Sequence, residues 1–150
     1  MPSSPPAPSE VPSSAERTLA VVLRSMGLID LCALFVVVLP GEWIAGIHRW
    51  LGLGTLPDAP IVGYLARSGS AMYALHGALV VYASYDVARY WPLIRFLALL
   101  ALVHGAVMLE IDISQGLPLL WQLGEGPLFA ASGALVLWLQ ARVVRPVARG

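Results

Sequence analysis

The chain has 150 residues, of which 58% are hydrophobic and 12% charged, and its formal net charge at pH 7 is zero. A water-soluble domain of this length needs a charged surface that so few charged residues cannot build, and a neutral chain carries no basic footprint for nucleic acid. The one cysteine, Cys32, excludes an internal disulfide and any paired-cysteine redox motif.

Residues 1–17 are dominated by Pro, Ser and Ala, with almost no large apolar side chain. Such a segment cannot bury enough surface to fold, so it is expected as a disordered cytoplasmic tail. It has no positive region of the kind that opens a signal peptide. A first membrane span is expected over residues 19–39, where Pro40-Gly41 terminates it. The following stretch, Glu42 to Leu51, places Trp43, Ile47 and Trp50 at helical spacing with Glu42 and Arg49 turned away. It reads as a short helix lying in the membrane interface. Pro57-Asp58-Ala59-Pro60 is a turn, and Pro60 suits the first position of a second span over 61–85. A polar, aromatic turn leads to Pro92, which opens a third span over 92–112. Residues 112–126 read as a connection, a fourth span covers 127–144, and residues 146–150 form a basic C-terminal tail. The fold class expected is an all-α membrane protein. Residues 18–145 would form a four-transmembrane-helix bundle with a short interfacial helix after the first span.

The arginines assign an orientation. With the N-terminus cytoplasmic, Arg17, Arg24, Arg89, Arg95, Arg142, Arg145 and Arg149 lie inside and only Arg49 lies outside. That bias follows the positive-inside rule and places both termini in the cytoplasm of a multi-pass protein in a bacterial inner membrane.

Four groups of residues are candidates for function. Gly63, Ser70, Gly77 and Ser84 recur every seven residues in the second span, a small-residue seam suited to close helix packing in lipid. Arg67 lies on the same face. A charge inside the hydrocarbon is costly unless paired, so a buried polar network is expected in which Arg67 meets Glu110, Asp112 or Glu125. Asp30, near the middle of the first span, is the kind of lone intramembrane carboxylate that a small proton-coupled transporter uses. His76 and His104, counted to similar depths on neighbouring spans, could serve as axial ligands of a b-type haem. No metal-ligand cluster, nucleophile motif or phosphate-binding loop is present in the sequence, so no catalytic residue is assigned.

Arg67-Ser68-Gly69-Ser70-Ala71-Met72-Tyr73-Ala74-Leu75-His76-Gly77, followed by Asp86-Val87-Ala88-Arg89-Tyr90-Trp91-Pro92-Leu93-Ile94, resembles the small four-helix bacterial membrane families called BphX-like and DoxX-like. The resemblance covers about half the chain, from Arg67 to Pro127, and implies architecture more than activity. The expected function is that of a non-enzymatic accessory or structural membrane protein without a cofactor. The proton-coupled carrier using Asp30 and the haem electron carrier using His76 and His104 are the alternatives. Its partners would be the lipid bilayer and a second copy or a larger membrane complex, with no nucleic acid.

Overall fold

The computed structural model describes residues 13–143. Among the described residues the chain is wholly helical: α1 (Ser14–Leu31), α2 (Leu34–Val38), α3 (Gly41–Trp50), α4 (Pro60–Ala83), α5 (Trp91–Ser114) and α6 (Leu119–Arg142). Most of the expected Pro/Ser-rich tail, and the basic C-terminal tail, lie outside the described residues.

Three boundaries differ from the sequence reading, each for a local reason. Residues 14–17 belong to α1 rather than to the tail, because Ser13 builds a capping box. The Ser13 hydroxyl accepts from the Glu16 N–H at 3.2 Å, and the Glu16 carboxylate accepts from the Ser13 N–H at 3.3 Å. Two of the helix's unsatisfied donors are met in this way. The first span is interrupted at Cys32 and Ala33, where the backbone tightens. The N–H groups of Ala33, Phe35 and Val36 donate to the carbonyls three residues back, each at 3.0 Å. The fourth long helix begins at Leu119 rather than at Pro127, which sits inside α6. Pro127 removes a donor and crowds the preceding turn, and Gly124 and Gly126 leave two of that turn's four positions without a side chain. The connection expected over 112–126 thus shrinks to a tight turn, with Gly116 in the left-handed region at φ 66°.

The long helices associate as two close pairs, α1 with α4 and α5 with α6. α1 also packs on α6, whereas α4 and α5 scarcely touch. Glycine makes both pairs possible. A Cβ built on Gly77 would fall 2.5 Å from the Gly27 carbonyl oxygen, and one on Gly27 2.7 Å from the Gly77 oxygen. In the second pair the Gly105 and Gly126 positions show the same reciprocal approach, at 2.5 and 2.6 Å. Only residues without a side chain let two backbones come this near. The core, including Leu19, Leu23, Val80, Ile94, Val136 and Leu139, collects at the end of the bundle where α4 turns into α5.

Exposure is distributed the reverse of what water favours. Ser84, Asp112 and Gln140 are buried, while Leu65, Met72, Leu75, Phe96, Val103 and Leu128 are exposed. Two stretches, Ser14–Val38 and Trp91–Ser114, are long and apolar enough to cross a membrane, with mean hydropathies of 2.2 and 2.0. Within their most apolar windows only 11% and 17% of residues are buried inside the chain. That sets them apart from the core helix of a soluble protein, which is mostly buried. α3 buries none of its residues, and Trp43 and Trp50 stand 64% and 84% exposed on it.

Candidate functional site

The glycine contact between α1 and α4 determines what lies beside it. It brings Asp30, next to the helix break, against the turn of α4 that carries His76. Asp30 Oδ2 and His76 Nδ1 are 2.9 Å apart, within hydrogen-bonding distance. The pair is not sealed, since the His76 side chain is 41% and the Asp30 side chain 21% exposed. One turn earlier on the same face, the Tyr73 hydroxyl donates to Glu125 Oε1 of α6 at 3.3 Å. Asp112 is 1% exposed, and its Oδ2 has no hydrogen-bond partner. Two polar contacts thus lie one turn apart on α4, one reaching α1 through Asp30 and one reaching α6 through Glu125.

The separation of α4 from α5 leaves a groove of about 570 Å³ along this polar group. Its walls are mostly apolar, with Met72, Leu100, Val103 and Phe129 prominent, and Gly69 leaves its rim open. Tyr73, His76 and His104 supply the polar stations. The His104 ring stands edge-on to Phe129 at 4.8 Å between centroids, and Tyr73 lies against the other side of this aromatic group at 5.8 Å. Behind His76, a smaller cavity of about 50 Å³ opens toward Asp30, Met26 and Ser132. Such a site, apolar with a few converging polar groups, is the usual form of a small-molecule pocket.

The predicted residues fare unequally. Arg67 does not meet an acid. Its Nε donates to the Val37 carbonyl at 3.2 Å and its Nη2 to the Leu39 carbonyl at 3.0 Å. The physical reason is the helix end. α2 stops at Val38 ahead of Pro40, so its last carbonyls lack N–H partners and the guanidinium takes that place. The expected network joining Arg67 to Glu110, Asp112 and Glu125 is therefore corrected. Glu125 accepts from Tyr73, Asp112 is buried on α5, Arg67 caps the first span, and Glu110 is exposed near the end of α5.

Within the seam, Gly77 packs against α1, and Ser84 is buried where it accepts from Arg24 Nε at 3.4 Å. Ser70 is half-buried, and a Cβ on Gly63 would meet only Arg67 of its own helix.

His76 and His104 do line one groove, but they are not level. His76 stands seven residues before Ala83, and His104 thirteen after Trp91, at the end where α4 and α5 join. At ~1.5 Å per residue the two differ in depth by about 9 Å. The matched depth expected of two axial ligands to one iron is corrected accordingly. Tyr73 and Phe129 were not singled out from the sequence. The spacing of Tyr73 three before His76 is the signal that could have found the first of them.

No family model matches the chain, and no curated protein or solved structure matches it.

Proposed function

We propose that the chain is a four-span protein of a bacterial inner membrane, with both termini cytoplasmic, that acts without catalysis. In this reading it is an accessory binding protein whose α4–α5 groove receives an apolar molecule dissolved in the bilayer. The observation that carries the reading is the groove itself, about 570 Å³ of mostly apolar space between two long helices that scarcely touch.

The span count draws support from α4 and α6. Each has 24 residues, about 36 Å at ~1.5 Å per residue, against a hydrocarbon core of roughly 30 Å. Arg67, Tyr73, His76 and Gln140 bond to other helices, while Leu65, Leu75, Leu128 and Trp138 face outward. The α3 tryptophans suit the interface. The likeness to the BphX-like and DoxX-like families agrees with this architecture and adds nothing about the ligand.

Two experiments test the proposal. In a Cys32→Ser background, Asp58→Cys and Gln115→Cys should react with a membrane-impermeant maleimide on cells with the outer membrane opened. Asp86→Cys should react only after the inner membrane is breached. Labelling of the opposite sidedness would overturn the orientation. For the groove, a photoactivatable diazirine hydrocarbon should label the full chain in nanodiscs preferentially around 69–76 and 97–107, and Gly69→Trp should suppress that labelling. Even labelling around every lipid-facing helix would refute a groove-bound ligand.

A further inference from the structure

We infer that the end of the bundle where α4 turns into α5 binds the headgroups of anionic phospholipids, through arginines laid over aromatic rings. The inference rests on the membrane-spanning reading above and is independent of the groove.

The argument is one of charge complementarity. Five arginines of the described residues collect at this end: Arg17, Arg24, Arg89, Arg95 and Arg142. Contacts between helices bring them together. Arg24 Nε of α1 donates to Ser84 at the close of α4, and Gln140 of α6 donates to the carbonyl of Trp91 at the start of α5. The described acids of this end are Glu16 and Asp86, and each accepts from a backbone N–H, Glu16 from Ser13 and Asp86 from Arg89 at 3.0 Å. Cations outnumber acids here, so this end attracts an anion from outside the chain.

The geometry names the anion. Three of the guanidinium groups are held over rings: Arg24 at 4.5 Å from the centre of Tyr85, Arg89 at 5.5 Å from Tyr90 and Arg142 at 4.0 Å from Trp138. Tyr90 is itself braced, its hydroxyl donating to the Tyr82 hydroxyl at 2.9 Å. A ring covers one side of a guanidinium and leaves N–H donors free to turn outward, where they can grip a phosphate with two parallel hydrogen bonds. The surface beside these donors is apolar. Leu28 lies one turn on from Arg24, Phe96 follows Arg95, and Leu135 lies two turns before Arg142, all three exposed. A nucleic acid or an acidic soluble protein would match the charge and leave this apolar surface in water. A phospholipid carries its phosphate and acyl chains in the matching order, and tyrosine and tryptophan favour the boundary between the two. A zwitterionic headgroup brings its own cation to the phosphate, whereas an anionic one keeps the negative charge that the arginines attract.

The test follows trace spin-labelled lipids by electron paramagnetic resonance, with the full chain reconstituted in phosphatidylcholine bilayers. Spin-labelled phosphatidylglycerol should be held at the protein surface about threefold more than spin-labelled phosphatidylcholine. The triple variant Arg24→Gln/Arg89→Gln/Arg142→Gln should bring that ratio close to one. Lysine at the same three positions keeps the charge without the planar donor edge, and its ratio should fall between the two. Arg49→Gln, at the opposite end, should leave the ratio unchanged. If the triple glutamine variant does not fold, Arg142→Gln alone, at an exposed position, should still lower the ratio. A wild-type ratio of one, or a raised ratio that the glutamine variants do not lower, would overturn the inference. A lysine variant as selective as the wild type would overturn the part assigned to the stacked guanidinium groups. Loss of the preference in inorganic phosphate, but not in chloride of equal ionic strength, would assign the arginines to a free anion instead. No immobilised lipid of either kind would mean that the membrane-spanning reading itself had failed.

Discussion

Replacing Gly77 by alanine tests how the bundle is held together, because the structure fixes both the clash and its control. The added methyl would sit 2.5 Å from the Gly27 oxygen, 2.7 Å from the Leu31 nitrogen and 2.8 Å from the Asp30 Cβ. Two of these neighbours are backbone atoms, so no rotamer change relieves the contact. α1 and α4 must separate by about 1 Å to restore ordinary van der Waals distance, and gaps of that size forfeit a quarter to a half of each contact's attraction. Overpacking of this kind costs about 1–3 kcal/mol. The gain in helix propensity on going from glycine to alanine, roughly 0.5–1 kcal/mol, offsets part of that. Gly69→Ala on the same helix gains the same propensity and meets nothing within 4 Å. Gly77→Ala should therefore be less stable than Gly69→Ala by about 1–3 kcal/mol, read from denaturant-induced unfolding in detergent micelles followed by circular dichroism. The double variant Gly27→Ala/Gly77→Ala should cost less than the sum of its parts, because the first methyl already parts the helices. Equal stability of Gly77→Ala and Gly69→Ala would refute the close-contact account, and strict additivity of the pair would refute its reciprocity.

Other expectations follow from the polar contacts. Arg67→Ala should destabilise the protein by about 2–3 kcal/mol and speed hydrogen exchange at the end of α2, since it strips two charge-assisted hydrogen bonds from helix-end carbonyls. Because Arg67 meets no acid, its loss and that of Glu125 should be additive; a coupling above about 1 kcal/mol in the cycle would restore an ion-pair role. Asp30→Asn and His76→Gln should instead couple by about 1 kcal/mol or more, as partners in one hydrogen bond do. Gln140→Leu removes the donor to the Trp91 carbonyl at 3.2 Å but also a buried carbonyl oxygen without a partner. Its cost should stay below about 1 kcal/mol in the same unfolding assay, and a larger loss would show that the amide is better satisfied than its geometry indicates.

Helical character was legible because it depends on local composition: long apolar runs broken by Pro40-Gly41 and Pro57 to Pro60 leave few alternatives. Boundaries set by single hydrogen bonds were not. The capping box at Ser13 is visible only once Glu16 is read as its reciprocal partner, and Pro127 reads as a start signal unless the glycines beside it are weighed. For the site, the difficulty is one of pairing. Periodicity shows which residues share a face of one helix, but not which helix that face meets. Gly77 was recognised as a packing residue, yet its partner Gly27 lies 50 positions away and carries no signal of its own.

Arg67 shows the same limit from the energetic side. The cost of an unpaired charge in hydrocarbon correctly demands a partner, and acids are the obvious candidates. Backbone carbonyls at a proline-terminated helix end satisfy a guanidinium as well, and no count of acidic residues reveals them. Once Arg67 is committed there, the acids expected to neutralise it part company: Glu125 accepts from the Tyr73 hydroxyl, and Asp112 is buried with one oxygen unpartnered. Where the first span ends therefore decides which partners are left for the acids of the other helices.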